Sequence, residues 1–301
     1  MSDNHRSSRR AFRPGVNLRS DLILESRLLL SMATVSIQGE TFHKTKNIEA
    51  RIAFGGKVAK IRDTELQLWD VVVSGPGHIL AKPESNGRVM LILDKTDAST
   101  TVAINPSSRH FRKGNAHHYP PGATTGNGVL RVGDIMVSSG SIGQILGTQT
   151  AELDGVITAK STAQIDRISF YSYQPGAGII TGGDLNTFDA FKDINLAGGP
   201  GISIGRDLNW MQVGGNINVG AGSTFKVGRD IGLTVQIAKG TDPGGQGARV
   251  QGNMTIAHGG AFVVGRSVDS TFLVDGFISG ASRFTVPSGS ANFIARGGIT
   301  A

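Results

Sequence analysis

The pentapeptide Gly201-Ile202-Ser203-Ile204-Gly205 has the G-x-S-x-G spacing that presents a nucleophilic serine on a sharp strand-to-helix turn. Here Ser203 alternates with Ile202 and Ile204, and the next unit repeats that alternation as Phe225-Lys226-Val227. Ser203 is therefore predicted at an outward strand position, with no helix to complete the elbow. His110, His117 and His118 are candidate metal donors. Adjacent histidines on an extended chain face opposite sides, and the spacing fits no zinc pattern. Asp184, Asp189 and Asp193, with Lys192 beside them, are a candidate carboxylate group with a base at hand. The chain contains no cysteine, which removes thiolate metal sites, iron–sulfur clusters, disulfides and cysteine nucleophiles. Neither G-x-G-x-x-G nor G-x-x-x-x-G-K-[ST] occurs, so nucleotide binding has no support. No catalytic residue, no metal ligand and no cofactor is assigned.

The net charge of +7 resembles the footprint of a nucleic-acid-binding protein until it is placed along the chain. Residues 1–62 carry 12 Lys/Arg and 5 Asp/Glu, a net of 12 − 5 = +7. The remaining 239 residues carry 30 − 12 = 18 Lys/Arg and 23 − 5 = 18 Asp/Glu, a net of zero. A body with no basic excess is not expected to bind nucleic acid. No apolar stretch reaches the roughly 18 residues of a spanning helix. Hydrophobic residues at 39% argue against wholesale disorder. Glycine, at 43 of 301, is about twice its usual share and has no three-residue period, which points to tight corners and not to collagen.

The elements that would position any site are read from a repeat. Cut every 23 residues, the C-terminal third gives 182–204, 205–227, 228–250 and 251–273, with a shorter unit from Val274 and another opening at Arg296-Gly297-Gly298-Ile299. One apolar column is Leu185, Leu208, Ile231, Met254 and Phe277. The column before it is Asp184, Asp207, Asp230, Asn253 and Gly276, all turn-compatible. A second apolar column is Ile204, Val227, Val250 and Leu273, continued by Ile294. Within units the apolar period is two, as in Ile194-Asn195-Leu196 and Ile217-Asn218-Val219, broken by Gly, Asp and Asn.

Short strands recurring every 21–23 residues predict an all-β chain wound as a parallel β-helix, right-handed by the chirality of parallel crossovers. Three strands and three turns fill each rung, and rungs stack at about 4.8 Å. Leu185, Leu208, Ile231, Met254 and Phe277 are expected to stack as a core ladder. Asp184, Asp207 and Asp230 are expected to form a turn ladder whose repulsion Arg206 and Arg229 relieve. Upstream, Val89–Leu93 and Thr100–Ile104 read as strands, 105–128 as a protruding loop, and Tyr171-Ser172-Tyr173 as part of a looped-out turn.

The leading segment carries Arg6, Arg9, Arg10, Arg13 and Arg19. Ser8-Arg9-Arg10-Ala11-Phe12-Arg13 resembles a twin-arginine signal but lacks the apolar core that should follow. Leu24-Glu25-Ser26-Arg27-Leu28-Leu29-Leu30-Ser31 resembles the N-terminal LEPR-XLL motif of bacterial surface proteins, with Ser26 in place of the family's proline. The resemblance covers eight residues and implies an export or sorting address on a long, exported, repeat-rich protein. Read on spacing alone, the same residues make a short amphipathic helix.

The expected organisation is an export/sorting segment over 1–38, disordered or short-helical, an N-terminal cap over 39–75 and the β-helix over 76–301. The coil reaches Ala301 as a new rung opens, as a fragment of a longer protein would. The expected function is a non-enzymatic structural or adhesive protein, secreted or on the bacterial surface, with surface glycans or other surface proteins as candidate partners. The alternative is a carbohydrate-active enzyme, since some β-helix proteins are polysaccharide lyases or glycosidases. That alternative requires carboxylates and a Lys or Arg converging on one exposed strand face.

Overall fold

The computed structural model describes residues 33–37, 40–44, 48–63, 67–107, 128–138, 140–159, 162–232, 246–280, 283–286 and 291–300. The motif Leu24 to Ser31 and the histidines at 110, 117 and 118 lie outside the described residues. The chain divides into two units, 1–30 and 31–301, and all that follows concerns the second. Apart from a 3-10 turn at Phe54–Gly56, the regular elements among the described residues are strands.

Parallel strands stack into a β-solenoid of about six turns. Each rung crosses three faces. The first face is built from Thr101–Pro106, the opening half of Ile142–Leu153, most of Ile165–Tyr173, Leu185–Ala190, Leu208–Val213, the pair Asp230–Ile231 and Gln246–Val250, then Ser267–Val274 and Ala291–Ala295. The second face includes Ile194–Asn195, Ile217–Val219, Met254–Ile256, Phe277–Ser279 and Gly298–Thr300. The third includes Val156–Ala159, Gly178–Thr181, Gly201–Ile204, Thr224–Val227, Ala261–Val264 and Arg283–Thr285.

The alternation that predicted strands also fills the core. Ile202, Ile204, Phe225 and Val227 point inward and are fully buried, while Ser203 and Lys226 between them face out. Rung upon rung, inward phenylalanines meet. Phe262 stacks on Phe225 at 5.0 Å and on Phe284 at 4.9 Å, with the Phe272 ring edge-on at 5.4 Å. Such pairs add about 0.5–1.5 kcal/mol each beyond area burial. Corners demand glycine where rungs press together. Gly201 has φ +76°, and a Cβ there would lie 2.1 Å from the carbonyl oxygen of Thr224 one rung on.

The register follows the 23-residue period with two exceptions. On the first face Ile142, Ile165, Leu185, Leu208, Ile231, Val268 and Ala291 lie side by side. The steps are therefore 23, 20, 23, 23, 37 and 23 residues. Leu185, Leu208 and Ile231 form the start of a buried ladder. Met254 and Phe277 do not continue it. Residues 232–245 lengthen that rung by 37 − 23 = 14, so a fixed cut slides off register. Met254 instead stacks on Ile217 of the second face, and Phe277 is 51% exposed beside Gly298. The second predicted column breaks at the same place. Val227 is followed by Val264, while Val250 stacks between Val213 and Val274 on the first face.

Two upstream expectations are also corrected. Tyr173 is not in a looped-out turn but buried in the core, edge-on to Phe188 at 5.2 Å and to Phe170 at 5.8 Å. The segment at 76 does not open the coil. His78–Pro83 and Val89–Asp94 form an antiparallel hairpin, whose second strand pairs in parallel with Leu130–Val137. Before it, Ala33–Ile37, Glu40–Lys44, Glu49–Ala53, Val58–Arg62 and Leu68–Ser74 run as an antiparallel meander. Its last strand pairs antiparallel with Thr101–Pro106. The meander thus occupies the leading edge of the first face, an edge that would otherwise present unpaired backbone. Thr101–Pro106 also takes residues 105 and 106 from the predicted loop. Residues 108–127 lie outside the described residues.

Candidate binding face

Most polar side chains on the coil's outside serve the coil itself. At the corner entering the first face, the Asp184 carboxylate accepts from the Asp207 backbone N–H at 3.2 Å. Asp207 accepts from Asp230 N–H at 3.1 Å, and Asp230 from Ser267 N–H at 3.0 Å. Each aspartate therefore ties the next rung. Arg206 pairs with Asp184 at 3.4 Å and Arg229 with Asp207 at 3.5 Å, so the expected relief of like charges takes the form of diagonal ion pairs. Asp230 is fully buried, and hydrogen bonds from Arg266, aided by Ser267, hold its pKa down to about 2 against the opposing effect of burial. A second ladder, missed in the sequence, runs along the corner leaving the first face. Asp193 accepts from Asn216 N–H at 2.7 Å, Asn216 from Asn253 N–H at 2.8 Å, and Asn253 from Phe277 N–H at 2.9 Å. Asn253 belongs here and not to the column of Asp184.

The carboxylate group of Asp184, Asp189 and Asp193 does not converge. Asp184 and Asp193 head ladders at opposite ends of one strand crossing, nine residues and roughly 30 Å apart in extended chain. Ser203 sits mid-strand between Ile180 and Lys226 of neighbouring rungs, with no helix following. Among the described residues no group of three or more His, Asp or Glu is placed to hold a metal ion.

Asp189 is different, because it lies in the middle of the first face. Its Oδ2 accepts from Arg167 Nε at 2.9 Å and Nη2 at 2.6 Å, while its Oδ1 is buried without a partner. Burial raises its pKa, and the Arg167 charge and hydrogen bonds oppose that rise. Burial, then the Asp189 charge, pushes the Tyr173 hydroxyl well above its ordinary value. One rung on, Gln212 stands beside Asp189, and Trp210, half-buried, stands beside Thr187. Toward the exit corner, Tyr171 and Phe191 stack at 5.8 Å with planes 25° apart, and Lys192 Nζ lies 5.5 Å over the Phe191 ring. Along the other margin Asn209 donates to Asn186 at 2.7 Å and Asn186 to Asp166 at 2.8 Å, an amide ladder.

The arrangement is a sheet face with aromatic rings at two positions, polar planar groups between them, and outward cations. No helix of the described residues is long and apolar enough to cross a membrane. No protein-family model matches the chain, and comparison with curated proteins and with solved structures finds no match.

Proposed function

We propose that the chain is a non-enzymatic structural or adhesive protein, exported to the bacterial surface or beyond, in which the solenoid is a stiff rod that displays its first face. The observation that carries this reading is the commitment of the outer polar groups to the coil. The carboxylates of Asp184, Asp207 and Asp230, and the oxygens of Asp193, Asn216 and Asn253, bind the backbone of the following rung. Asp275 pairs with Arg249 at 2.9 Å and with Arg296 at 2.8 Å. Such ladders stiffen a rod whose rungs contact only their neighbours. The export reading rests on the resemblance of Leu24 to Ser31 to the LEPR-XLL motif.

The enzyme reading draws on Asp189, since a carboxylate with a raised pKa beside an arginine is a common acid–base device. Against it, Asp189 is 8% exposed, and the other two carboxylates of its rung sit at distant corners. The test is depolymerisation of acidic and neutral polysaccharides, with and without Ca²⁺, by the full chain. No turnover is expected, and turnover abolished by Asp189→Asn would overturn the proposal. Export is tested by fusing residues 1–38 to a reporter. Secretion lost on Leu28→Asp is expected, and a reporter retained in the cytoplasm would remove the export claim.

A further inference from the structure

Resting on the adhesive reading, we propose that the first face between Tyr171 and Trp210 is a platform for a neutral, extended polysaccharide. Its rings lie in a diagonal line across one strand face. Phe191 stacks on Tyr171 of the rung before, and Trp210 stands on the rung after, beside Thr187, which precedes Phe191 by four residues. Trp210 and Phe191 are thus one strand spacing and about 13 Å of strand apart. A pyranose has an apolar C–H face, which sits on an aromatic ring, and a rim of hydroxyls. A sugar chain that runs straight sets one unit on the Tyr171–Phe191 pair and another on Trp210, whereas a tightly coiled chain misses the second seat. Phe191 is 45% exposed, too open for a core role.

The charges around the rings are matched among themselves, and that selects an uncharged occupant. Arg167 gives two hydrogen bonds to Asp189, and Arg249, beside Gln212, pairs with Asp275 at 2.9 Å. What remains around the rings is Lys192 with the exposed Asp166 and Asp193. An anionic polymer finds no row of free cations there. A cationic one meets Lys192, and its two carboxylates stand at opposite margins, where Asn186 and Asn216 donate to them. The atoms without partners call instead for hydroxyls. Among the described residues neither the Gln212 side-chain amide nor the Trp210 indole N–H has a hydrogen-bond partner. Asp189, 8% exposed, keeps Oδ1 without a donor, and so does the buried side-chain oxygen of Asn209. A hydroxyl both donates and accepts, so it suits orphan donors and orphan acceptors alike and brings no charge beside a covered carboxylate. A protein partner would need an apolar centre, where this face places Thr187, Gln212 and the Arg167–Asp189 pair between its rings.

The experiment is affinity electrophoresis of the full chain through gels containing glucomannan or hydroxyethylcellulose, both neutral and extended, or polygalacturonate. Retardation by at least one neutral polymer, equal at low and high salt, is expected. Phe191→Ala and Trp210→Ala should each weaken it about fivefold to tenfold. Ser203→Ala, an outward change on the third face, should leave it unaltered. The net charge of +7 should by itself slow the chain in polygalacturonate, an effect that disappears at high salt and ignores both ring variants. Circular dichroism melts of each variant exclude loss of fold. No retardation in either neutral gel overturns the proposal, as does retardation indifferent to both ring variants, or ring-dependent retardation that is strongest in polygalacturonate. Those results leave the rod as it is, whereas degradation of a polymer in the same gels overturns the non-enzymatic reading, so the two failures are distinguishable.

Discussion

Excising residues 232–245 should leave the coil folded and its register restored. The long rung exceeds the common period by 14 residues, the number removed. The cut joins Ile231 to Gln246, so that Ile231-Gln246-Gly247-Ala248 takes the place that Leu208-Asn209-Trp210-Met211 holds one rung earlier. In both, three steps separate the inward residues, and Ala248 already lies beside Met211. Ile231 keeps Leu208 and Val268 as neighbours, and Val250 keeps Val213 and Val274. Among the described residues the deletion removes Gly232, whose backbone N–H donates to the Leu208 carbonyl at 2.8 Å, a bond that the Gln246 N–H is placed to take over, while the entropy of closing the excursion, (3/2)RT ln 14 or about 2 kcal/mol, is recovered in whole or part. Thermal and urea unfolding followed by circular dichroism should show stability unchanged or raised by up to about 2 kcal/mol. A control that removes 232–242, three residues fewer, leaves the excess of a short bulge and should gain less. Aggregation of the 14-residue deletion, or a loss beyond 2 kcal/mol, would refute the assigned register.

Ile231→Asp should cost at least about 4 kcal/mol or prevent folding, because it places an unpaired charge between Leu208 and Val268 in a closed core. Phe277→Asp, in the same 23-residue column of the sequence, should cost under about 1 kcal/mol, since that side chain is half in solvent. Urea denaturation of the pair separates the two. Phe262→Ala removes the ring that touches Phe225, Phe272, Phe284 and Phe293, and should cost about 3–5 kcal/mol by the same measurement. Asp230, held at about 2 against 3.8 unfolded, contributes stability that is complete above about pH 4 and lost as pH falls toward 2. That difference corresponds to at most about 2 kcal/mol. Asp230→Asn should therefore flatten the stability loss between pH 4 and 2. The raised pKa of Asp189 has the opposite sign: as pH falls through that raised value toward the unfolded 3.8, protonation favours the folded chain, so Asp189→Asn should remove a gain in stability above about pH 4 and leave the loss between pH 4 and 2 unaltered.

The fold was legible because burial in a solenoid writes itself as a repeat. The inward positions of Leu185, Leu208 and Ile231, the outward positions of Ser203 and Lys226, and the aspartate corner all follow from alternation and from turn-forming residues. The fixed period failed at Met254 and Phe277 because an insertion costs a solenoid little and leaves the neighbouring rungs to re-pair. A motif would have kept register where counting did not. Gly205-Arg206, Gly228-Arg229 and Gly265-Arg266 mark the same corner at intervals of 23 and 37, and a Cβ on Gly265 would meet the Gly228 carbonyl at 2.0 Å. Tyr173 was misplaced because Pro175 and Gly176 beside it signal a turn, and the tyrosine is the last inward residue before that turn. The binding face was the least legible part. Tyr171 and Phe191 are 20 apart, the step of one short rung and not the common 23, and Trp210 follows Phe191 by 19, so they come together only when three rungs, at steps of 20 and 23, are laid edge to edge.

The stacking of rungs is tested most directly by disulfide formation, in a chain that has no cysteine of its own. Lys226 and Val263 are outward neighbours on adjacent rungs of the third face, 37 residues apart. Lys226 and Arg249 are 23 apart but lie on different faces. Strands about 4.8 Å apart meet the separation a disulfide requires. The Lys226→Cys/Val263→Cys protein should oxidise to an intramolecular disulfide, and the Lys226→Cys/Arg249→Cys protein should remain reduced. Oxidation of the second and not the first would contradict the coil described here.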